Sequence, residues 1–245
     1  MRTWDVIFST GGGTKLHRYT VFALLVFTAL AHPAFAADNE LTEQEKRDGW
    51  ILLFDGKTLS GWTTNDGQPS ARPVEQGSLN PHRCGGYMLI HERQWENFIL
   101  TLDFKISPGC NTGLFFRTAP LKPLPGKDVG YNGLEVAIDD TRGQGFTDTG
   151  AIYGLVAANS NVMRPAGRWN HLVLTCNKNI VEVRLNHRTV TMMDLGMWTE
   201  PGQRPNGSPH KFEFAYKDHP RRGYIGLQDH GGECWYKNIK LQPLK

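Results

Sequence analysis

Segment 132–140 (NGLEVAIDD) alternates so that Leu134, Val136 and Ile138 fall on one side of a strand and Glu135, Ala137 and Asp139 on the other. Two carboxylates thus project from a sheet whose reverse face is built for burial. Segment 111–117 (NTGLFFR) repeats the pattern, aiming Asn111, Gly113 and Arg117 one way and Leu114 and Phe116 the other. Segment 224–230 (YIGLQDH) sends Ile225 and Leu227 inward and Gln228 and His230 outward. Amide, guanidinium, carboxylate and imidazole groups gathered on one sheet face suit carbohydrate, because sugar hydroxyls both donate and accept hydrogen bonds. Glu135 is the leading candidate for proton transfer, as acid or base. His230 is the second, because imidazole titrates near neutral pH.

Around this pair, Asn111 and Gln228 are candidates for sugar hydroxyls. Arg117 is expected either to bind substrate oxygens or to pair with Glu135 across neighbouring strands. Tyr153, in 151–154 (AIYG), faces outward beside Ile152 and could stack on a sugar or donate a proton. Asp139 is a candidate for substrate hydroxyls. Asp139, Asp140 and Asp229 also suit either a divalent cation such as calcium or the capping of strand ends, and no cofactor is required by the sequence. Glu135 and Asp139 are four residues apart on one strand, about 13 Å at Cα. That is long for the two carboxyls that flank the anomeric centre in ordinary glycoside hydrolysis. His210 and His219 lie in a late loop and are expected in solvent.

Elements that could hold these groups follow from the pattern along the chain. Strands are expected near 50–54, 86–90, 97–107, 113–118, 133–139, 150–154, 168–176, 180–185, 188–193, 223–228 and 234–241. Segment 172–188 (LVLTCNKNIVEVRLNHR) gives consecutive hairpins with polar turns. Residues 63–84, rich in Gly, Pro, Ser and Asn, read as loop. Almost no stretch carries a sustained helical period. Many short strands with turn signals imply an all-β fold, two antiparallel sheets packed as a sandwich. Residues 119–131 and 199–220, both rich in proline, interrupt the strands and lead into those bearing Glu135 and Gln228. Loops of such length often border a site; surface decoration is the alternative.

The first 36 residues read as an export signal. The apolar run 21–31 follows Lys15 and Arg18, and Ala34 and Ala36 supply the small residues of a cleavage site. The run is shorter than the roughly 17–25 residues a spanning helix needs. Periplasmic or extracellular residence is expected, with no membrane contact after cleavage. Residues 37–47 form a polar N-terminal segment, and 48–245 form the domain. Of the formal net charge of +3, the leader contributes +2 (Arg2, Lys15 and Arg18 against Asp5), leaving +1 and no basic block. Nucleic acid is therefore a poor partner. In an oxidising compartment Cys84, Cys110, Cys176 and Cys234 could form two bridges in any of three pairings, and at least one disulfide is expected. Their spacing lacks the paired pattern of a zinc site.

Segments 53–62 (LFDGKTLSGW), 111–117, 134–140 (LEVAIDD) and 226–231 (GLQDHG) occur in a characteristic order, joined by 166–170 (AGRWN) and 237–240 (KNIK). Together they resemble the 3-keto-disaccharide hydrolase family, over about 48–244. The resemblance implies a concanavalin A-like jelly-roll sandwich, bacterial secretion and action on glycosides oxidised to a ketone at C3. Such a ketone acidifies the C2 proton. A base removes it, the enolate expels the aglycone from C1, and water adds to the resulting enone. That route needs a base near C2, an acid near the glycosidic oxygen and a group that stabilises the enolate. A non-catalytic carbohydrate-binding module and a conventional glycanase are the competing readings. Residues 85–87 (GGY) are a variant feature of this chain, and the proline-rich insertion 119–131 bears on the substrate pocket.

Overall fold

The computed structural model describes residues 37–245; the expected signal peptide, 1–36, lies outside them. Eleven strands build two antiparallel sheets. In chain order they are β1 (Ile51–Leu52), β2 (Trp62–Thr64), β3 (Met88–His91), β4 (Phe98–Ile106), β5 (Asn111–Thr118), β6 (Leu134–Asp139), β7 (Asn170–Asn177), β8 (Ile180–Leu185), β9 (Arg188–Asp194), β10 (Tyr224–Gln228) and β11 (Cys234–Pro243). One sheet runs β1-β11-β4-β7-β8-β9 and the other β2-β3-β10-β5-β6. This is the two-sheet sandwich that the alternation implied.

The core is the set of inward positions. Phe98, Leu100, Leu102, Phe104 and Ile106 alternate along β4 with half-buried residues. They face Leu114 and Phe116 of β5, Leu134, Val136 and Ile138 of β6, and Ile225 and Leu227 of β10 within the same apolar cluster. Burying a large aliphatic or aromatic side chain contributes about 1.5–3 kcal/mol, so the period-two pattern fixes which face of each strand is outward. Trp62 is also buried, its indole N–H donating to the Leu53 carbonyl (2.7 Å).

Three expectations change. Residues 150–154 form no full strand: they add to the edge of β6 through single backbone bonds, Ala137 N–H to Ala151 O (3.0 Å) and Tyr153 N–H to Glu135 O (2.9 Å). Within 63–84 the start belongs to β2, which pairs with β3. All four cysteines are free and buried, so the expected disulfide is not formed. Burial alone pushes the Cys176 thiol up to about 12, and Cys110 likewise to about 12 with help from Asp139.

The N-terminal segment holds one short helix, α1 (Glu43–Arg47), started by a reciprocal Thr42–Glu45 capping box. It is tied to β11, with Lys240 donating to both carboxylate oxygens of Glu45 (2.8 and 2.9 Å). No described helix is long and apolar enough to cross a membrane.

Candidate active site

Sheet register places the polar groups on the outer face of the five-stranded sheet in rows. One row runs Tyr153, Glu135, Phe115, Gly226 and Ile90. The next runs Ala137, Gly113, Gln228 and Met88. Gly113, Gly226 and Ala137 are the small residues on this face, and the Glu135 side chain leans over Gly113. A β-carbon at 113 would fall 2.6 Å from both Cγ and Cδ of Glu135 and closer still to Oε1. Glycine is therefore required there for space, since its φ is not in the left-handed region.

The Glu135 carboxyl accepts no hydrogen bond from the described residues. Burial pushes its pKa up to about 8, against the attraction of the Lys211 ammonium. At neutral pH it is mostly protonated and poised to exchange a proton. Beside it, Lys211 donates to the Tyr153 hydroxyl (2.9 Å) and lies 4.1 Å from the centre of that ring. Across the floor, Gln228 is buried, and its amide donates to the Tyr87 hydroxyl (2.8 Å). Its carboxamide oxygen is buried with no partner among the described residues. Burial raises the Tyr87 pKa, the hydrogen bond from Gln228 opposes the rise, and the Glu135 charge adds to it.

Both long loops close on this face. Asn132 holds the first by donating to the carbonyls of Pro120 (2.7 Å) and Lys122 (2.8 Å). Arg204 ties the second to the turn after Tyr153, donating to the carbonyls of Gly154 (2.7 Å) and Leu155 (3.0 Å). The two meet where Tyr131 packs on Phe212, with 5.5 Å between ring centres. The second loop is not decoration: Phe212 and Tyr216 are buried in the main core beside Trp198. A cavity of about 280 Å³ lies between the loops, lined by Tyr131, Phe214 and His219 among others, and Glu135 does not line it.

The remaining sequence candidates are placed as follows. Tyr153 and Gln228 flank Glu135 as described. Asn111, exposed, pairs with Asp139 in a row four residues along β6 from Glu135, about 13 Å away. Asp139 accepts from the Thr141 N–H (2.7 Å), Asp140 from the Gly109 N–H (2.8 Å) and Asp229 from the Arg83 N–H (2.7 Å). Each carboxylate caps a turn, and no described group of three or more such residues gathers as a cation site. His230 is exposed beyond β10. It extends the Asn111 row, about 16 Å from Glu135 by strand rise and spacing, so the two expected proton carriers are not neighbours.

Arg117 is the main correction. It was expected outward beside Glu135, yet it is fully buried. A bulge between β5 and β10 explains this: Arg117 takes φ of 51°, and the register slips between Tyr224 and Gly226. The side chain then turns inward near Cys176 and donates to the Glu96 carbonyl (3.1 Å), with burial lowering its pKa. His219 was expected in solvent and is buried too; its Nε2 lies 3.1 Å from the Arg117 carbonyl, and burial holds its pKa at about 4. His210 is half-buried against Trp198, Phe212 and Tyr216.

Tyr87 and Lys211 joined the site unforeseen. Tyr87 lies in the 85–87 motif and Lys211 in the 199–220 loop, and neither segment's pattern tied these residues to the Glu135 face. Nothing in local periodicity marks a lone loop lysine.

The chain is 26% identical to a Bacteroides thetaiotaomicron protein named 3-keto-disaccharide hydrolase, over 80% of this chain and 79% of that one. A solved Parabacteroides distasonis structure, provisionally named a glycosyl hydrolase, matches with a TM-score of 0.65 and 29% identity over 80% of this chain and 99% of its own. A second from that organism, named likewise, gives 0.69 and 25% over 85% and 100%. Residues 49–242, nearly the whole sandwich, match one family throughout, and the chain belongs to the 3-keto-alpha-glucoside-1,2-lyase-like domains.

Proposed function

We propose that this protein is an exported enzyme that cleaves 3-keto glycosides by elimination across C1 and C2 followed by addition of water. The observation that carries the reading is the Glu135 carboxyl, enclosed over Gly113 with its pKa at about 8 and the Lys211 ammonium as its nearby charge. Family membership and the name of the Bacteroides relative support the substrate class.

In this reading ionised Glu135 takes the proton from C2. A carboxylate of raised pKa is a stronger base, which suits a carbon acid. The electron pair moves onto the C3 oxygen as an enolate, and Lys211 stabilises that charge. The pair then returns to expel the oxygen at C1, which takes a proton from the Tyr153 hydroxyl, the resulting phenolate being held by the Lys211 ammonium. Water adds at C1 of the enone and gives its proton to the Tyr153 phenolate, while Glu135, its proton exchanged with solvent once the aglycone has left, protonates C2, giving net hydrolysis. Gln228 and Tyr87 hold the oxidised ring by its hydroxyls. Asn111, Asp139 and His230 form the far row, placed to meet the aglycone rather than to share proton chemistry with Glu135. Residues 1–36 act as the export signal, placing the enzyme in the periplasm or outside a bacterial cell.

Incubating the purified protein with paired 3-keto and unoxidised glucosides, with products identified by mass spectrometry, tests the reading. Release from the 3-keto compound alone is expected. Equal release from the unoxidised glucoside would favour a conventional glycanase. Binding of the 3-keto compound without release would favour a carbohydrate-binding module.

A further inference from the structure

The opposite face of the sandwich carries a second cluster that the chemistry at Glu135 does not use. Lys105 of β4 pairs with Trp235 of β11, and Trp169 immediately precedes the β7 residue paired with Phe104. The register therefore sets Trp169, Lys105 and Trp235 in one row across three strands, the two indoles about 10 Å apart at the backbone. Both tryptophans are half-buried, each presenting part of a large apolar ring to solvent. The Lys105 ammonium lies between them, 5.1 Å from the Trp169 ring centre and 4.6 Å from that of Trp235. Lys237 lies 4.6 Å from Trp169. These groups line a cavity of about 560 Å³, with Asp38 and Glu75 on its wall.

The polar lining is balanced rather than one-signed. Lys237 pairs with Asp38 (2.5 Å), and Arg72 holds Glu75 (2.7 Å). Glu75 also accepts from the Trp235 indole N–H (3.4 Å), which sets that ring's orientation. Lys105, Lys237 and Arg72 are matched by Asp38, Glu75 and Glu233 around two flat apolar rings, so the cluster offers no net charge to an anionic polymer. They do offer donors, acceptors and stacking surfaces to a neutral polyol. The spacing of the rings matches the reach of a disaccharide unit.

We infer that this face is a second saccharide-binding site, in which Trp169 and Trp235 stack on neighbouring sugar rings of a neutral glycan while the lysines swing aside to meet its hydroxyls. It lies on the order of 20 Å from Glu135, given sheets about 10 Å apart and side chains on both outer faces. It would hold the enzyme to polymer without touching the bond being broken.

Affinity electrophoresis in gels containing hydroxyethylcellulose, xylan, dextran or polygalacturonate tests this. The proteins compared are wild type, Trp169→Ala, Trp235→Ala, Trp235→Phe and Glu135→Gln. At least one neutral polymer should retard wild type and Glu135→Gln equally. Each alanine variant should lose at least tenfold in affinity, with Trp235→Phe intermediate. Turnover of a small 3-keto glucoside should be unchanged in the alanine variants, and a thermal melt reports independently that they fold. Three results would overturn the inference: no retardation by any neutral polymer, retardation by polygalacturonate alone, or retardation unaltered in folded alanine variants. A failure of Glu135 chemistry leaves this readout untouched.

Discussion

Replacing Gly113 with alanine adds one methyl group where the Glu135 side chain now lies. The backbone at 113 accepts alanine, because its φ is not positive, so the whole effect is steric. The added carbon would stand 2.6 Å from Cγ and Cδ of Glu135, against a comfortable carbon–carbon separation of about 3.5–4.0 Å. Glu135 must retreat by roughly 1 Å, and a displacement of that size costs on the order of 100-fold in rate. Strain from a displaced rotamer is about 0.5–1.5 kcal/mol, and each kcal/mol lowers Tm by roughly 2–4 °C in a domain of this size. The assay is kcat/KM on a 3-keto glucoside beside a thermal melt. A fall of about 100-fold with Tm down by only a few degrees is expected. Undiminished turnover in Gly113→Ala would refute the claim that the glycine holds the carboxyl in its working position.

Three further outcomes follow from the same geometry. If Glu135 acts as the base, kcat/KM should rise with pH and level off above about 8, the pKa that burial gives it; a flat profile from pH 6 to 9 would contradict the assignment. Replacing Lys211 with methionine removes the opposing attraction, so that limb should move to higher pH while turnover drops at least tenfold. An unmoved limb would detach Lys211 from the site. Stability is linked to the same group: its folded pKa exceeds the unfolded value of about 4.3, so the folded state holds the proton more tightly. That contribution is full below the unfolded pKa and is lost as pH rises through about 8. Glu135→Gln should therefore melt close to wild type at pH 4 and above it at pH 9, as read by calorimetry.

The sandwich and the outward face of Glu135 were legible because alternation in β4 and β8 is strict, and in β6 only the small Ala137 departs from it. Gln228 and Tyr153 could be read for the same reason. Arg117 could not, since a bulge breaks the period just where it mattered and sends the side chain inward. His230 stands apart for a different reason: alternation gives the face but not the distance, and β5 and four residues of strand rise lie between it and Glu135. Lys211 is set by the fold of an irregular loop, anchored by Arg204 and a buried aromatic cluster. The free cysteines show the limit of arguing disulfides from compartment alone, for each thiol is simply buried as a small apolar group.

The most direct test of the account is proton exchange at C2. A 3-keto glucoside incubated in D2O with wild-type protein should give a released sugar carrying deuterium at C2, seen by NMR. Folded Glu135→Gln should give neither deuterium nor released aglycone at a comparable rate. Release at the wild-type rate by Glu135→Gln, or cleavage by wild type that leaves the C2 proton in place, would contradict it.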